Sequence, residues 1–152
     1  MSEPAAPRFR RLVLEFGQGT PDAALVRTAA DLARLLGIDL QGLFVEDEAL
    51  LALAAWPFAR ELRLPAHEWH PIDPDTLARE LRAAAAAADR MLADAVAAFD
   101  IPARLHVVRG DPISALSAFC RGDDILVLTP PPSAGLARPP EGRRVRAAGA
   151  VL

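Results

Sequence analysis

The residues whose types and spacing could do chemistry are few. His67-Glu68-Trp69-His70 sets two imidazoles three residues apart around a carboxylate, a spacing that would aim both at one metal if the segment were helical. Pro65 and Pro71 bracket it, and no third ligand is identifiable, so a surface loop is expected. Gly17-Gln18-Gly19 has the outline of a phosphate-binding turn, but it is only G-x-G, no lysine accompanies it, and Asp22 stands where an anion would sit. A helix-entry turn is expected instead. Cys120 is the single cysteine and lies among Leu116, Ala118 and Phe119, the setting of a small buried hydrophobe. Asp111 or His106 could serve a small hydrolase, yet no Ser-His-Asp or Cys-His constellation accompanies them, and no enzyme is expected. His106 reads as an edge-strand residue facing solvent or its neighbour.

The elements that must position these groups alternate between strand and helix. Leu12 to Phe16 is a short apolar run for a buried strand, ending at Gly17. Thr20-Pro21-Asp22 then opens a helix, with Thr20 as cap, Pro21 as first helical residue and Asp22 complementing the positive helix end. Leu25, Ala29, Leu32 and Leu36 form its predicted apolar stripe, and Gly37 its stop. Asp73-Pro74 opens a second helix to Phe99, and Asp111-Pro112 a third to Arg121. The run Ala83 to Ala88 belongs to the second helix, whose stripe continues through Leu81, Ala84, Ala88 and Leu92. Leu40 to Val45, Leu105 to Val108 and Ile125 to Leu128 are each long enough for a strand and too short for a helix. Alternation of this kind implies parallel strands joined by right-handed crossovers, a doubly wound α/β sheet. Arg104 and His106 alternate with Leu105 and Val107, which suits an edge strand; Ile125 to Leu128 has no polar member and is predicted to lie centrally.

Composition narrows the function classes. The 152 residues suit one domain, with no metal or disulfide staple needed at this size. Hydrophobic residues make up 52% and aromatic ones 5%, so the apolar content is small and aliphatic and favours helix packing over an aromatic-rich sandwich. All 17 basic residues are arginine, which removes lysine-based Schiff-base, phosphate-loop and general-base chemistry. A net charge of -3 removes the electrostatic case for a nucleic-acid partner. Neither a signal peptide nor an 18-residue apolar stretch is present in the sequence, so no membrane partner and a cytoplasmic location are expected.

Three stretches carry a family resemblance. Arg11-Leu12-Val13-Leu14-Glu15-Phe16-Gly17, Val107-Val108-Arg109-Gly110-Asp111-Pro112 and Asp123-Asp124-Ile125-Leu126-Val127-Leu128 resemble the first, third and fourth strands of the universal stress protein family. The resemblance runs from Arg11 to Leu152 and implies a parallel sheet in the order 3-2-1-4-5 with helices on both faces, residues 1–10 forming a flexible tail. Many members bind ATP between strands one and four, through an Asp closing strand one and a G-x-x-G-x9-G-[ST] stretch after strand four. In this sequence the Asp position falls on Phe16, the glycines on Thr129, Pro132 and Gly142, and the hydroxyl residue on Arg143. One of these five positions keeps the family residue, and Pro130, Pro131 and Pro132 offer no backbone N–H to a phosphate. The acidic run Glu46-Asp47-Glu48 adds negative charge on the same rim. A member without cofactor is therefore expected, acting as a stress-related interaction or scaffold module. The alternative is a weakened ATP or AMP switch that retains Gly17 and Gly142 and uses Arg138, Arg143, Arg144 and Arg146.

Two further segments bear on partners. Residues 46–72 are far longer than the roughly 2–6 residues that usually join a strand to a helix. A short helix over Glu48 to Ala55 is predicted to expose Leu50, Leu51, Leu53 and Ala54, and both tryptophans, Trp56 and Trp69, lie in this excursion with Phe58. It reads either as a lid over the sheet's carboxyl edge or as a partner surface built on Leu50, Leu51, Trp56, Phe58 and Trp69. Phe44 to Glu48, Leu50, Leu51 and Pro57 to Glu61 also resemble a subgroup of bacterial stress-protein-like chains with no assigned activity. At the other end, Pro139-Pro140 shortens the last helix, and Gly149 to Leu152 leaves strand five short or missing. Ile125, Leu126, Val127 and Leu128 then become an open edge, on which either the short tail pairs weakly or a second subunit is expected to form a homodimer.

Overall fold

An aspartate opens every helix of the computed structural model, which describes residues 9–17, 22–63 and 65–129. Asp22, Asp47, Asp73 and Asp111 accept from the backbone N–H of Ala24, Ala49, Thr76 and Ser114, satisfying donors that the first helical turn cannot. The elements run β1 (Arg11–Phe16), α1 (Ala23–Leu36), β2 (Asp39–Asp47), α2 (Glu48–Ala54), β3 (Arg60–Arg63), β4 (Glu68–Pro71), α3 (Pro74–Val96), β5 (Ala103–Gly110), α4 (Pro112–Phe119) and β6 (Asp124–Leu128).

The main sheet is parallel, in the order β5-β2-β1-β6. This differs from the expected 3-2-1-4-5 because the excursion contributes two strands of its own, paired as the antiparallel hairpin β3-β4, and because no fifth parallel strand lies among the described residues. Counting only the parallel strands in chain order, the sheet reads third, second, first, fourth. The segment expected to hold strand five, through Leu152, lies outside the described residues, as do Thr20, Pro21 and residues 1–8. Arg10, placed by sequence in the tail, already donates its N–H to the Asp123 carbonyl at 3.0 Å.

The alternation of β1 divides the core between two faces. Leu12, Leu14 and Phe16 join Leu40 and Phe44 of β2 against α1 and α3, while Val13, Leu43 and Val45 pack on the other face against Ala115, Leu116 and Phe119 of α4. Gly42 lets α3 and β5 come close: a Cβ there would lie 2.7 Å from Leu105 Cδ1 and 3.0 Å from the Phe16 ring.

Several expectations are corrected. The cap of α1 is Asp22, two residues later than Thr20, and the buried stripe is Val26, Ala29, Ala30 and Ala33 rather than Leu25, Ala29, Leu32 and Leu36. Leu32 and Leu36 are exposed and Leu25 is half-buried. The small methyl face allows the helix a closer approach to the sheet than a leucine face would, and Gly37 ends it in the left-handed conformation. The predicted central strand β6 is an edge among the described residues, pairing only with β1. Its Ile125 and Val127 pack on the first core cluster, whereas Leu126 and Leu128 are 40% and 54% exposed.

Candidate functional site

In an open α/β sheet, ligands bind beyond the carboxyl ends of the strands, where successive connections depart in opposite directions. That crevice lies between β1 and β6, and its described walls are Glu15, Phe16, Gly17 and Thr129. Thr129 Oγ1 accepts from the Gly17 N–H at 3.0 Å and donates to Glu15 Oε2 at 3.0 Å. The hydroxyl proton is thus committed to a carboxylate, and the amide that follows β1 is already paired. A Cβ on Gly17 would approach Thr129 Oγ1 to 3.2 Å, so the two chain ends close on each other. Phe16 is 2% exposed, its side chain packed in the core and offering no polar group to the crevice. An entering phosphate would meet the Glu15 charge and no free amide from Gly17. Pro132, Gly142, Arg143 and the other tail arginines lie outside the described residues.

Among the described residues, other groups of the carboxyl rim are also internally paired. Arg109 Nη2 reaches Glu46 Oε2 at 2.9 Å across β5 and β2, Asp47 caps α2, and Asp111 caps α4. Asp111 has its carboxyl held below the usual range by the Ser114 backbone N–H, which identifies it as a structural cap.

A second polar cluster sits on the α4 face toward the amino ends of the strands. Arg11 and Asp124 are register partners on β1 and β6, with Nε to Oδ1 at 2.8 Å and Nη2 to Oδ2 at 2.5 Å. Arg11 also donates to the Phe119 carbonyl at 3.1 Å, and its guanidinium lies over the Phe119 ring. Burial pushes the Asp124 carboxyl up, but the Arg11 hydrogen bond, the Arg121 N–H and the arginine charges outweigh it and hold the group below the usual range. His106 meets Gln41 Oε1 at 2.8 Å through Nε2 and packs against Phe119. Burial, then the charges of Arg104 and Arg11, lower the imidazole pKa. Cys120 is half-buried at the end of α4, its thiol pushed up chiefly by burial, the behaviour of a packing residue. Sequence reading missed the Arg11–Asp124 pairing; the available signal was opposite charge at the first positions of two adjacent parallel strands.

The excursion divides into α2 and a hairpin that the sequence did not disclose. Ala54, expected to be exposed, is buried, and Leu50 and Leu51 are half-buried, with Leu51 against the main core. Ala54 and Leu51 belong to packing. Trp56 and Phe58 form an exposed edge-to-face pair with centroids 5.7 Å apart, and Trp69 is exposed on β4 opposite Leu62 of β3. These rings do not lie buried over the carboxyl edge as a packed lid would require. His67 is in a turn at φ 55, its Nδ1 2.8 Å from the Pro65 carbonyl, while His70 is on β4 beside Glu68. The segment is therefore not helical, and among the described residues no three His, Cys, Asp or Glu side chains converge on a metal position.

No helix among the described residues is long and apolar enough to cross a membrane. No family model matches the chain, and no curated protein matches its sequence.

Proposed function

We propose that this chain is a universal-stress-protein-like domain that does not bind nucleotide and acts as a stress-related interaction or scaffold module. The observation that carries this reading is the hydrogen-bonded sequence Gly17 N–H to Thr129 hydroxyl to Glu15 carboxylate, which occupies the crevice with its own chemistry. Its support from the residues is that Phe16 and Thr129 stand where a nucleotide-binding member resembling this chain would place an acid and a glycine. Without an anion site, what remains available is surface: the aromatic groups of the excursion and the apolar side chains of β6.

The test is a titration of magnesium ATP into the protein, following Trp56 and Trp69 emission and thermal stability together. No saturable change is expected. Saturable stabilisation at sub-millimolar nucleotide would replace this reading with the switch, in which Gly142 and the tail arginines compensate for the closed crevice.

Leu126 and Leu128 favour self-association through β6, since exposed leucines beside a strand edge that is open among the described residues supply both apolar area and backbone groups for pairing. Sedimentation of the wild-type chain against Leu126→Glu is expected to show a dimer only for the former. A monomer in both cases would remove the homodimer.

A further inference from the structure

Among the described residues β3 pairs only with β4, in the register Arg60–Pro71, Glu61–His70, Leu62–Trp69 and Arg63–Glu68, and its other side is open. The Ile72 N–H donates to the Ala59 carbonyl at 3.1 Å, which makes these two a hydrogen-bonded pair and sets the phase of the ladder. Direction alternates along an antiparallel strand. Glu61 and Arg63 therefore turn their backbone groups to β4, while Arg60 and Leu62 turn theirs to the free side. The same phase puts the missing N–H of Pro71 on the outer edge of β4, which it blunts. β3 contains no proline, so of the hairpin's two edges it is the one able to accept a strand.

The side chains of β3 decide what that strand can be. Outward-turned residues must meet outward-turned residues, and a second copy of β3 does this about a two-fold axis through any one residue of the strand. An axis through Arg60 or Arg63 sets arginine against arginine, and one through Glu61 sets carboxylate against carboxylate, each destabilising in a directly opposed pair. Leu62 alone can face itself. About that axis Glu61 lies opposite Arg63 of the second copy, and Arg63 opposite its Glu61. Arg63 already holds Glu61 within one strand at 2.6 Å, so the two pairs lie head to tail across the seam and neither is broken to form it. Exposed ion pairs add little strength, and their effect here is to exclude the other registers. On the opposite face Leu62 and Trp69, 43% and 61% exposed, join their copies in one apolar row across four strands. A two-stranded hairpin is marginal in water, and added strands with a shared apolar face stabilise it.

We propose that the open edge of β3 takes the β3 of a second copy, antiparallel about Leu62, giving a four-stranded sheet in the order β4-β3-β3-β4. The seam is separate from β6 and from the crevice, and it does not rest on whether nucleotide binds. Four residues a side bury far less than a stable interface needs, so the contact is transient and leaves Leu126→Glu monomeric in sedimentation.

Disulfide trapping in the full chain reads such a contact. The background is Leu126→Glu with Cys120→Ser, which removes the β6 contact and the native thiol. Leu62→Cys then places two thiols across the axis on Cα atoms about 5.5 Å apart, within bridging range. In Glu61→Cys the two would lie diagonally, about 7–8 Å apart and beyond it. With copper phenanthroline as oxidant, Leu62→Cys is expected to give about tenfold more covalent dimer than Glu61→Cys. Equal yields, or no dimer from Leu62→Cys, would overturn the proposal without any charge variant having to fold. Charge supplies the second arm. With Leu62→Cys retained, Glu61→Arg and Arg63→Glu should each lose the covalent dimer when oxidised alone, because like charges then meet across the seam. Oxidised together they should recover it as the mixed dimer, identified by mass, since the arginines of one chain face the glutamates of the other. Mixing repairs no fault within a single hairpin. A mixture that yields no more dimer than the separate solutions would rule out the axis through Leu62.

Discussion

Arg11 and Asp124 stand opposite each other at the first register positions of β1 and β6, and the guanidinium grips both carboxylate oxygens. The Asp124 side chain is 1% exposed, so either group alone would be a buried, uncompensated charge. Arg11→Ala is expected to lower stability by about 3 kcal/mol, toward the low end for breaking a buried pair because Arg11 retains some solvent contact. A shift of the urea midpoint at constant slope would measure it. Because the Asp124 carboxyl is held below the usual range in the folded state, its contribution is complete above the unfolded carboxylate value and is lost as pH falls through the folded one. Arg11→Ala should flatten that acid limb, and an unchanged acid limb would contradict the assignment.

His106 gives a separate pH dependence. Its folded pKa is lowered, first by burial and then by Arg104 and Arg11, so the unfolded chain binds the proton more readily. Stability is expected to be level above the unfolded value of about 6.5 and to decline as pH falls from there through the folded value. Urea titrations across this window should show the decline in the wild-type chain and lose it in His106→Gln. A slope unaffected by the substitution would locate the proton elsewhere.

Gly42 is a packing position. In Gly42→Ala the added methyl would crowd Leu105, Phe16 and Leu92 together, and overpacking of this kind costs about 1–3 kcal/mol. Pairing it with Leu105→Val should recover part of the loss, because the nearest atom is the end of that side chain. Additive losses in a thermal-melt cycle would show that the crowding lies with the other two.

Thr129→Val removes a donor to Glu15 and an acceptor for Gly17 without changing shape greatly. A loss of about 1–2 kcal/mol is expected for the two partly buried hydrogen bonds, with Thr129→Ser close to wild type. Equal stability of the valine and serine variants would show that the hydroxyl does not join the two strand ends.

The strands and helices of the parallel sheet were legible because alternation and cap residues are local. Asp73-Pro74 and Asp111-Pro112 begin α3 and α4 as read, and His106 meets its neighbour across an edge. The hairpin was not legible, since its apolar residues, Leu62 and Trp69, are few and face outward, which removes the burial pattern by which strands are recognised. The α1 stripe was misplaced for a related reason: leucine outranks alanine in hydrophobicity, but the sheet took the smaller side chains. At the crevice, Phe16 and Thr129 could be read as departures from a motif. The role of Glu15 could not, because it depends on a residue 114 positions away.

Among the described residues, the sheet ends in unlike borders, β5 on one side and β6 on the other. A β6 border meeting the β5 border of another molecule would leave a fresh copy of each at the far ends, so growth would have no natural terminus. Like meeting like stops at two molecules. Arg104, exposed along β5, sets like charge against like where that border meets its own kind and resists a dry strand contact, whereas β6 shows leucines. The asymmetry would make the pair proposed through β6 a closed one, not a fibre.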